Sequence, residues 1–258
     1  MLFVYLIFVL KTLKNTLFCC LKPQIGHYDI RNKDKHLSVQ LSIMLTLIII
    51  VCCFAAYLLG SIPTAIWYGE AYFGMDIRKH GSGNAGATNT FRVLGKRAGT
   101  VVLFIDAMKG WIATSLALIL YYTNLIDWSD CQTLKLIFGF SAVIGHVFPV
   151  FSNFKGGKGV ATLLGMVLSV HPEAALVCMV IFFVVFMSFH YVSLGAILAS
   201  LAFPILLVFK TFGKENSLVI GFGFVLFGMI VITHRKNIVR LMRGEENRIY
   251  LKKKKVIE

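Results

Sequence analysis

Two lysines and three glycines sit together in Phe154-Lys155-Gly156-Gly157-Lys158-Gly159, directly before the apolar run Val160-Ala161-Thr162. Glycines let backbone N–H groups approach an anion closely, a helix N-terminus adds partial positive charge, and lysine adds a full one. Together they describe a phosphate cradle. The alternative is a basic turn between two membrane helices. The stretch is not a Walker A loop, because Ser152 stands where that pattern needs Gly and Gly159 stands where it needs Ser or Thr. A second cluster, His80-Gly81-Ser82-Gly83-Asn84-Ala85-Gly86-Ala87-Thr88-Asn89-Thr90-Phe91-Arg92, offers small hydrogen-bonding groups and a guanidinium able to grip a phosphate with two parallel bonds. A third runs from His234-Arg235-Lys236-Asn237 to Gly244-Glu245-Glu246. It reads either as a basic juxtamembrane helix on anionic headgroups or as a site carrying His234 and Asn237 three apart on one helix face. Asp106 and Lys109 are also three apart within an apolar run, where they can pair. Charges there are costly and mark either chemistry or a buried ion pair that fixes helix packing. His146, just before the glycine–lysine stretch, is a base or a packing histidine at the membrane interface.

The elements that must position these residues are membrane helices. Of the 258 residues, 57% are hydrophobic and 15% charged, against about 25% charged in a soluble domain. The apolar runs are continuous, which argues for an all-α polytopic bundle and against a β-barrel. They cover roughly 43–68, 97–122, 134–152, 159–170, 173–190, 192–210 and 216–234. Seven transmembrane helices are expected, with five or six if short segments join. The formal charge of +14 fits cytoplasmic loops lying on anionic membrane lipid. The basic residues fall in short loops and a tail between spans, so nucleic-acid binding is excluded. Threading seven spans from Met44 puts loop 69–97, loop 153–158 and the C-terminal tail on one side. The positive-inside rule makes that side the cytoplasm, with Lys210 and Lys214 as exceptions. Residues 1–43 are expected to be an N-terminal extension, read as an artefact of the start site. Residues 44–246 form the membrane domain, and 247–258, with Lys252 to Lys255, a basic cytoplasmic tail. The six cysteines lack zinc-type spacing and read as small apolar side chains. No metal site and no cofactor fold is expected.

Taken together, the three clusters resemble the motifs of the bacterial acyl-phosphate:glycerol-3-phosphate acyltransferases, the PlsY type, over about Met44 to Glu246. The match rests on Gly81-Ser82-Gly83-Asn84 through Arg92 with Asp106 and Lys109-Gly110, on Gly145-His146 through Phe154 to Thr162, and on His234-Arg235 with Asn237-Ile238 and Gly244. The resemblance implies a seven-helix fold in the bacterial inner membrane with a cytoplasmic active site. It implies transfer of a fatty acyl group from acyl phosphate to the position-1 hydroxyl of glycerol 3-phosphate, giving lysophosphatidic acid and phosphate without a cofactor. Ser82, Arg92, Lys158, His234 and Asn237 then correspond to the catalytic residues. Gly81, Asn84, Thr88, Asn89, His146, Lys155, Gly156, Gly157 and Gly159 fall on the substrate-binding side, and Asp106 and Lys109 support them. The chemistry also implies a functional link to an enzyme that makes acyl phosphate. The proton of the attacking hydroxyl goes to His234 or His146, or to the acyl-phosphate oxygens themselves. The tetrahedral oxyanion is met by the Gly156 and Gly157 amides or by Asn237.

Overall fold

A computed structural model describes residues 30–209 and 216–249, with side chains from residue 39. Lys210, Lys214 and the Lys252 to Lys255 run lie outside the described residues. Every regular element among the described residues is a helix. In chain order these are α1 (Ile30–Gly60), α2 (Thr64–Phe73), α3 (Ala87–Val93), α4 (Lys96–Tyr122), α5 (Trp128–Val147), α6 (Val160–Val170), α7 (Pro172–Phe189), α8 (Val192–Val208), α9 (Ser217–Thr233) and α10 (Arg235–Met242). Single 3-10 turns occupy Ile77–Lys79 and Val150–Ser152.

Among the described residues each apolar run is helical, though not every run gives one helix that is by itself long and apolar enough to cross a bilayer. Four helical stretches are long and apolar enough to cross a bilayer: Val39–Gly60, Lys96–Tyr122, Trp128–Ser152 and Pro172–Phe189. A fifth is reached if α9 and α10, bent by 66° at His234, are taken as one broken span. Helices α6 and α8 are apolar but shorter. The first run is interrupted because Pro63 cannot continue the helix of its predecessors. The chain turns at Ser61-Ile62-Pro63 and restarts as α2, and the helix carrying the first span begins upstream of Met44.

The short helix α6 lies at the centre and meets α4, α5 and α7. Its contact with α4 is backbone on backbone. A Cβ on Gly110 would lie 2.0 Å from the Thr162 carbonyl oxygen, and one on Gly165 would lie 1.8 Å from that of Ala107. Small residues at helix crossings are how membrane bundles gain packing without a hydrophobic drive between helices. On one side Leu136, Val143, Met166, Ala174, Phe203 and Ile230 fill a core shared by α5 to α9. On the other, Ala56, Ala113, Ala117, Leu120 and Phe138 join α1, α4 and α5. Phe54, Phe104, Val184 and Ile232 remain exposed, the outward apolar surface expected of helices in lipid.

Asp106 and Lys109 form the buried ion pair that their spacing allows, at 2.8 Å. The Asp106 carboxylate also accepts the Thr64 hydroxyl at 2.9 Å. Lys109 donates to the Ile62 carbonyl at 2.9 Å, a group released by the break before α2. The pair therefore pins the α1–α2 break onto α4.

Candidate active site

The loop ahead of α3 is built around Asn89. Its Nδ2 donates to the Ile77 and His80 carbonyls, and its Oδ1 accepts from the Ser82 amide at 2.8 Å and the Ser82 hydroxyl at 3.1 Å. With its donors and acceptor engaged, buried Asn89 scaffolds Ser82 rather than offering itself to a substrate. Gly81 has φ +62°, and a Cβ there would lie 2.4 Å from the Asn89 Oδ1. It is the tight turn that lets this bond form, and it does not line the cavity. Helix α3 then carries Arg92 in its last turn, where it lines the cavity and makes no hydrogen bond or ion pair to another described residue.

The glycine–lysine stretch folds back onto the end of α5. The Gly156 N–H donates to the Val147 carbonyl at 3.2 Å and the Gly157 N–H to the His146 carbonyl at 3.1 Å. These two amides are thus already used, which corrects the expectation that they meet the oxyanion. The glycines serve close approach instead, since a Cβ on Gly156 would lie 2.0 Å from the His146 carbonyl oxygen. Lys155 is exposed, and Lys155, Gly156, Gly157 and Lys109 do not line the cavity. Gly159 does, in the left-handed region at φ +82°, as the cap of α6. The helix therefore opens toward the cavity with first-turn N–H groups that have no carbonyl within the helix to bond. Val160 and Ala161 line the cavity there.

Lys158 reaches across to α10, where its Nζ donates to the Asn237 Oδ1 at 2.5 Å. Burial pushes its ammonium down to about 8, against the pull of Glu246 and with the help of Arg240 and Arg92. It remains charged at neutral pH. Asn237 in turn donates from Nδ2 to the Glu246 Oε1 at 2.6 Å, so both ends of this amide are also occupied. Buried His234, at the α9–α10 bend, donates from Nδ1 to the Ile230 carbonyl at 2.9 Å, since a carbonyl can only accept. That bond leaves Nε2 as the acceptor. His146 is buried, with Nδ1 3.1 Å from the Thr162 hydroxyl and 3.7 Å from Asp106. A Cβ on Gly157 would lie 2.2 Å from its Nε2, so the ring is wedged against the loop.

One cavity gathers these groups. Ser82, Asn84, Thr88, Asn89 and Arg92 line it from the first cluster, Asp106 and His146 from its floor, Lys158 and Gly159 from the glycine loop, and His234 and Asn237 from the third. One stretch of its remaining wall is apolar, with Leu103 of α4, Phe182 of α7 and Val192 and Ala196 of α8. Residues to which sequence reasoning gave no role also face it: Arg240 and Glu246 of the third cluster, and Ser193 and Asn247. Glu246 stood in plain view at the end of a basic run, but its partners Ser193, Asn237 and Arg240 come from two other helices. Among the described residues no three His, Cys, Asp or Glu come together as metal ligands.

The chain matches the family model described as glycerol-3-phosphate acyltransferase over residues 50–244. A glycerol-3-phosphate acyltransferase of Chlorobium phaeobacteroides is 41% identical over 231 residues, covering 80% of this chain and 97% of the relative. One from Streptococcus pneumoniae is 42% identical over 206 residues, covering 78% and 93%. Among solved structures, PlsY (YgiH), an integral membrane glycerol 3-phosphate acyltransferase, matches in its glycerol 3-phosphate form with a TM-score of 0.67 at 37% identity, over 78% of this chain and 96% of that one. Its lysophosphatidic acid form matches with a TM-score of 0.66 at 36% identity. With the three polar clusters meeting in one cavity, and similarity along nearly the whole length of these relatives, the chain belongs to the glycerol-3-phosphate acyltransferase family.

Proposed function

We propose that this membrane enzyme moves a fatty acyl group from acyl phosphate to the position-1 hydroxyl of glycerol 3-phosphate, at the cytoplasmic face of a bacterial inner membrane. The observation that carries the reading is the cavity itself. Two cations from separate elements, Arg92 and Lys158, and the N-terminus of α6 converge beside an apolar wall. Two phosphorylated substrates repel strongly at short range in low dielectric, and these groups offset that repulsion. The relative of known structure in its glycerol 3-phosphate and lysophosphatidic acid forms supports the choice of acceptor and product.

In this reading Arg92 and Lys158 grip the acceptor phosphate, with Asn237 holding the Lys158 ammonium in place and Ser82 and His234 placing the glycerol. The acyl phosphate lies along the start of α6, and its chain extends between Leu103 and Phe182 toward lipid. The acceptor oxygen attacks the acyl carbon, the bond from that carbon to the phosphate oxygen breaks, and the hydroxyl proton leaves with the phosphate. The first-turn amides of α6 meet the transient oxyanion. Acyl phosphate is already activated, so orientation supplies much of the rate, up to about 7–11 kcal/mol in favourable cases. The His234 ring has a carbonyl rather than a carboxylate behind Nδ1, so it is built to hydrogen-bond more than to hold a proton. The substrate phosphate is the better acceptor. An upstream reaction that phosphorylates an acyl group, or phosphorolyses an acyl thioester, must supply the donor.

Incubating the purified protein in lipid with acyl phosphate and labelled glycerol 3-phosphate tests this. Lysophosphatidic acid is expected with acyl phosphate and none with acyl-CoA alone. Equal product from acyl-CoA overturns the donor assignment. His234→Gln is expected to keep kcat within roughly tenfold, whereas loss of a general base costs about 10²–10⁴-fold.

A further inference from the structure

We propose that residues 245–249 are a positioning strap for the phosphate clamp, with Glu246 aiming the Asn237 amide oxygen at Lys158 and with the strap fixed in turn by docking on the turn between α7 and α8. This rests on the reading of Lys158 as a phosphate ligand. The segment lies beyond the 50–244 region that the family model matches, and the sequence alone assigns residues 247–249 to a solvated tail.

An amide side chain has a donor end and an acceptor end, and its neighbours decide which way it points. The Glu246 carboxylate only accepts. Its bond from the Asn237 Nδ2, at 2.6 Å, forces the amide oxygen toward Lys158. Rotated by half a turn, Asn237 would present a donor to an ammonium, and Lys158 would lose its aim. Glu246 is itself fixed by the Ser193 hydroxyl at 2.9 Å and the Arg240 Nε at 2.8 Å. Burial alone would raise this carboxyl, but the bonds from Asn237, Arg240 and Ser193 outweigh it and hold it below the usual range. Arg240 balances the carboxylate's charge, so Glu246 can stand beside an anion site without repelling the anion.

The strap is tied down at its far end. The Ile249 N–H donates to the His190 carbonyl at 2.9 Å. The Arg248 Nε donates to the Tyr191 hydroxyl at 3.1 Å, and its guanidinium lies 5.4 Å from the centre of that ring. Asn247 and Ile249 join Glu246 in the cavity wall. The strap thus joins the α7–α8 turn to α10 along the cavity wall.

Arg248 is the place to test it, because it is exposed and its side chain is bonded to Tyr191, outside the proposed clamp. In purified enzyme in lipid, Arg248→Ala is expected to raise the KM for glycerol 3-phosphate roughly fivefold or more, with kcat changed less than about twofold. The alkaline limb of kcat/KM is also expected to move to lower pH. Lys158 is faced by Glu246, Arg240, Arg92 and His234. Arg248→Ala leaves all four in the sequence, so a moved limb reports displacement of Glu246. Arg248→Lys keeps a cation over Tyr191 and is expected to recover most of the KM. A KM and limb identical to the parent's in Arg248→Ala overturn the proposal, whether or not thermal stability falls, because a merely structural strap would move only the latter. Lys158→Ala in parallel separates the two readings. Loss of acceptor binding there with none in Arg248→Ala sinks the strap alone, while parental binding in Lys158→Ala sinks the clamp on which it rests.

Discussion

Lys158 carries the most weight of any single side chain, and its surroundings make a pH prediction. Burial lowers its ammonium to about 8, so the charged form that the proposed clamp needs dominates at neutral pH and is lost as pH rises through that value. The kcat/KM for glycerol 3-phosphate is therefore expected to fall on the alkaline side with a midpoint near 8 in the free enzyme. Lys158→Arg should shift that limb to higher pH, because a guanidinium stays protonated. Arg92→Ala and Lys158→Ala are each expected to lower kcat/KM by about 10²–10³-fold at neutral pH, the scale of losing a charge-stabilising donor at a transition state. Near-parental turnover in both, with folded protein, would remove the anion clamp from the mechanism.

At the scale of elements, α6 is the helix on which the proposed chemistry depends. Its N-terminus faces the cavity, and its first turns lie flush on α4 through Gly110 and Gly165. Next to this contact, Asp106, Lys109, Thr64 and the Ile62 carbonyl form a buried polar knot. Removing one member of a buried ion pair leaves the other uncompensated, at a cost of about 3–5 kcal/mol. Lys109→Ala is expected to lower thermal stability in detergent strongly, and Asp106→Asn combined with Lys109→Met much less than the sum of the single changes. Additive losses in that double-mutant cycle would show that the pair does not act as a unit.

For the whole molecule, three stretches far apart in the chain meet at one end of the bundle, beside loops rich in Lys and Arg. The turn between α4 and α5 and the first turn of α5 hold Asp127 and Asp130 and no basic residue. A membrane-impermeant thiol reagent on a cysteine-free background should therefore label Ser129→Cys from outside intact cells. It should reach Lys155→Cys only after permeabilisation. Labelling of both from the same side would overturn the orientation.

The sequence by itself determined the class of molecule, the three polar clusters and the pairing of Asp106 with Lys109. These are properties of local composition and spacing: apolar run length, the positions of glycines, and the three-residue rise that puts two side chains on one helix face. It could not say which groups would be consumed by the fold. The Gly156 and Gly157 amides look like free donors in a string of letters, yet the return of the loop onto α5 spends them on the His146 and Val147 carbonyls. Asn89 reads as a ligand and folds as a scaffold, because Ile77, His80 and Ser82 surround it. Breaks at Pro63 and His234 and the shortness of α6 and α8 divide the apolar runs into fewer long spans than segments. Only the tertiary structure joined Glu246 to Asn237 and Lys158, since hydrogen bonding between side chains 9 and 79 residues apart depends on where helices end and cross, not on what precedes or follows them.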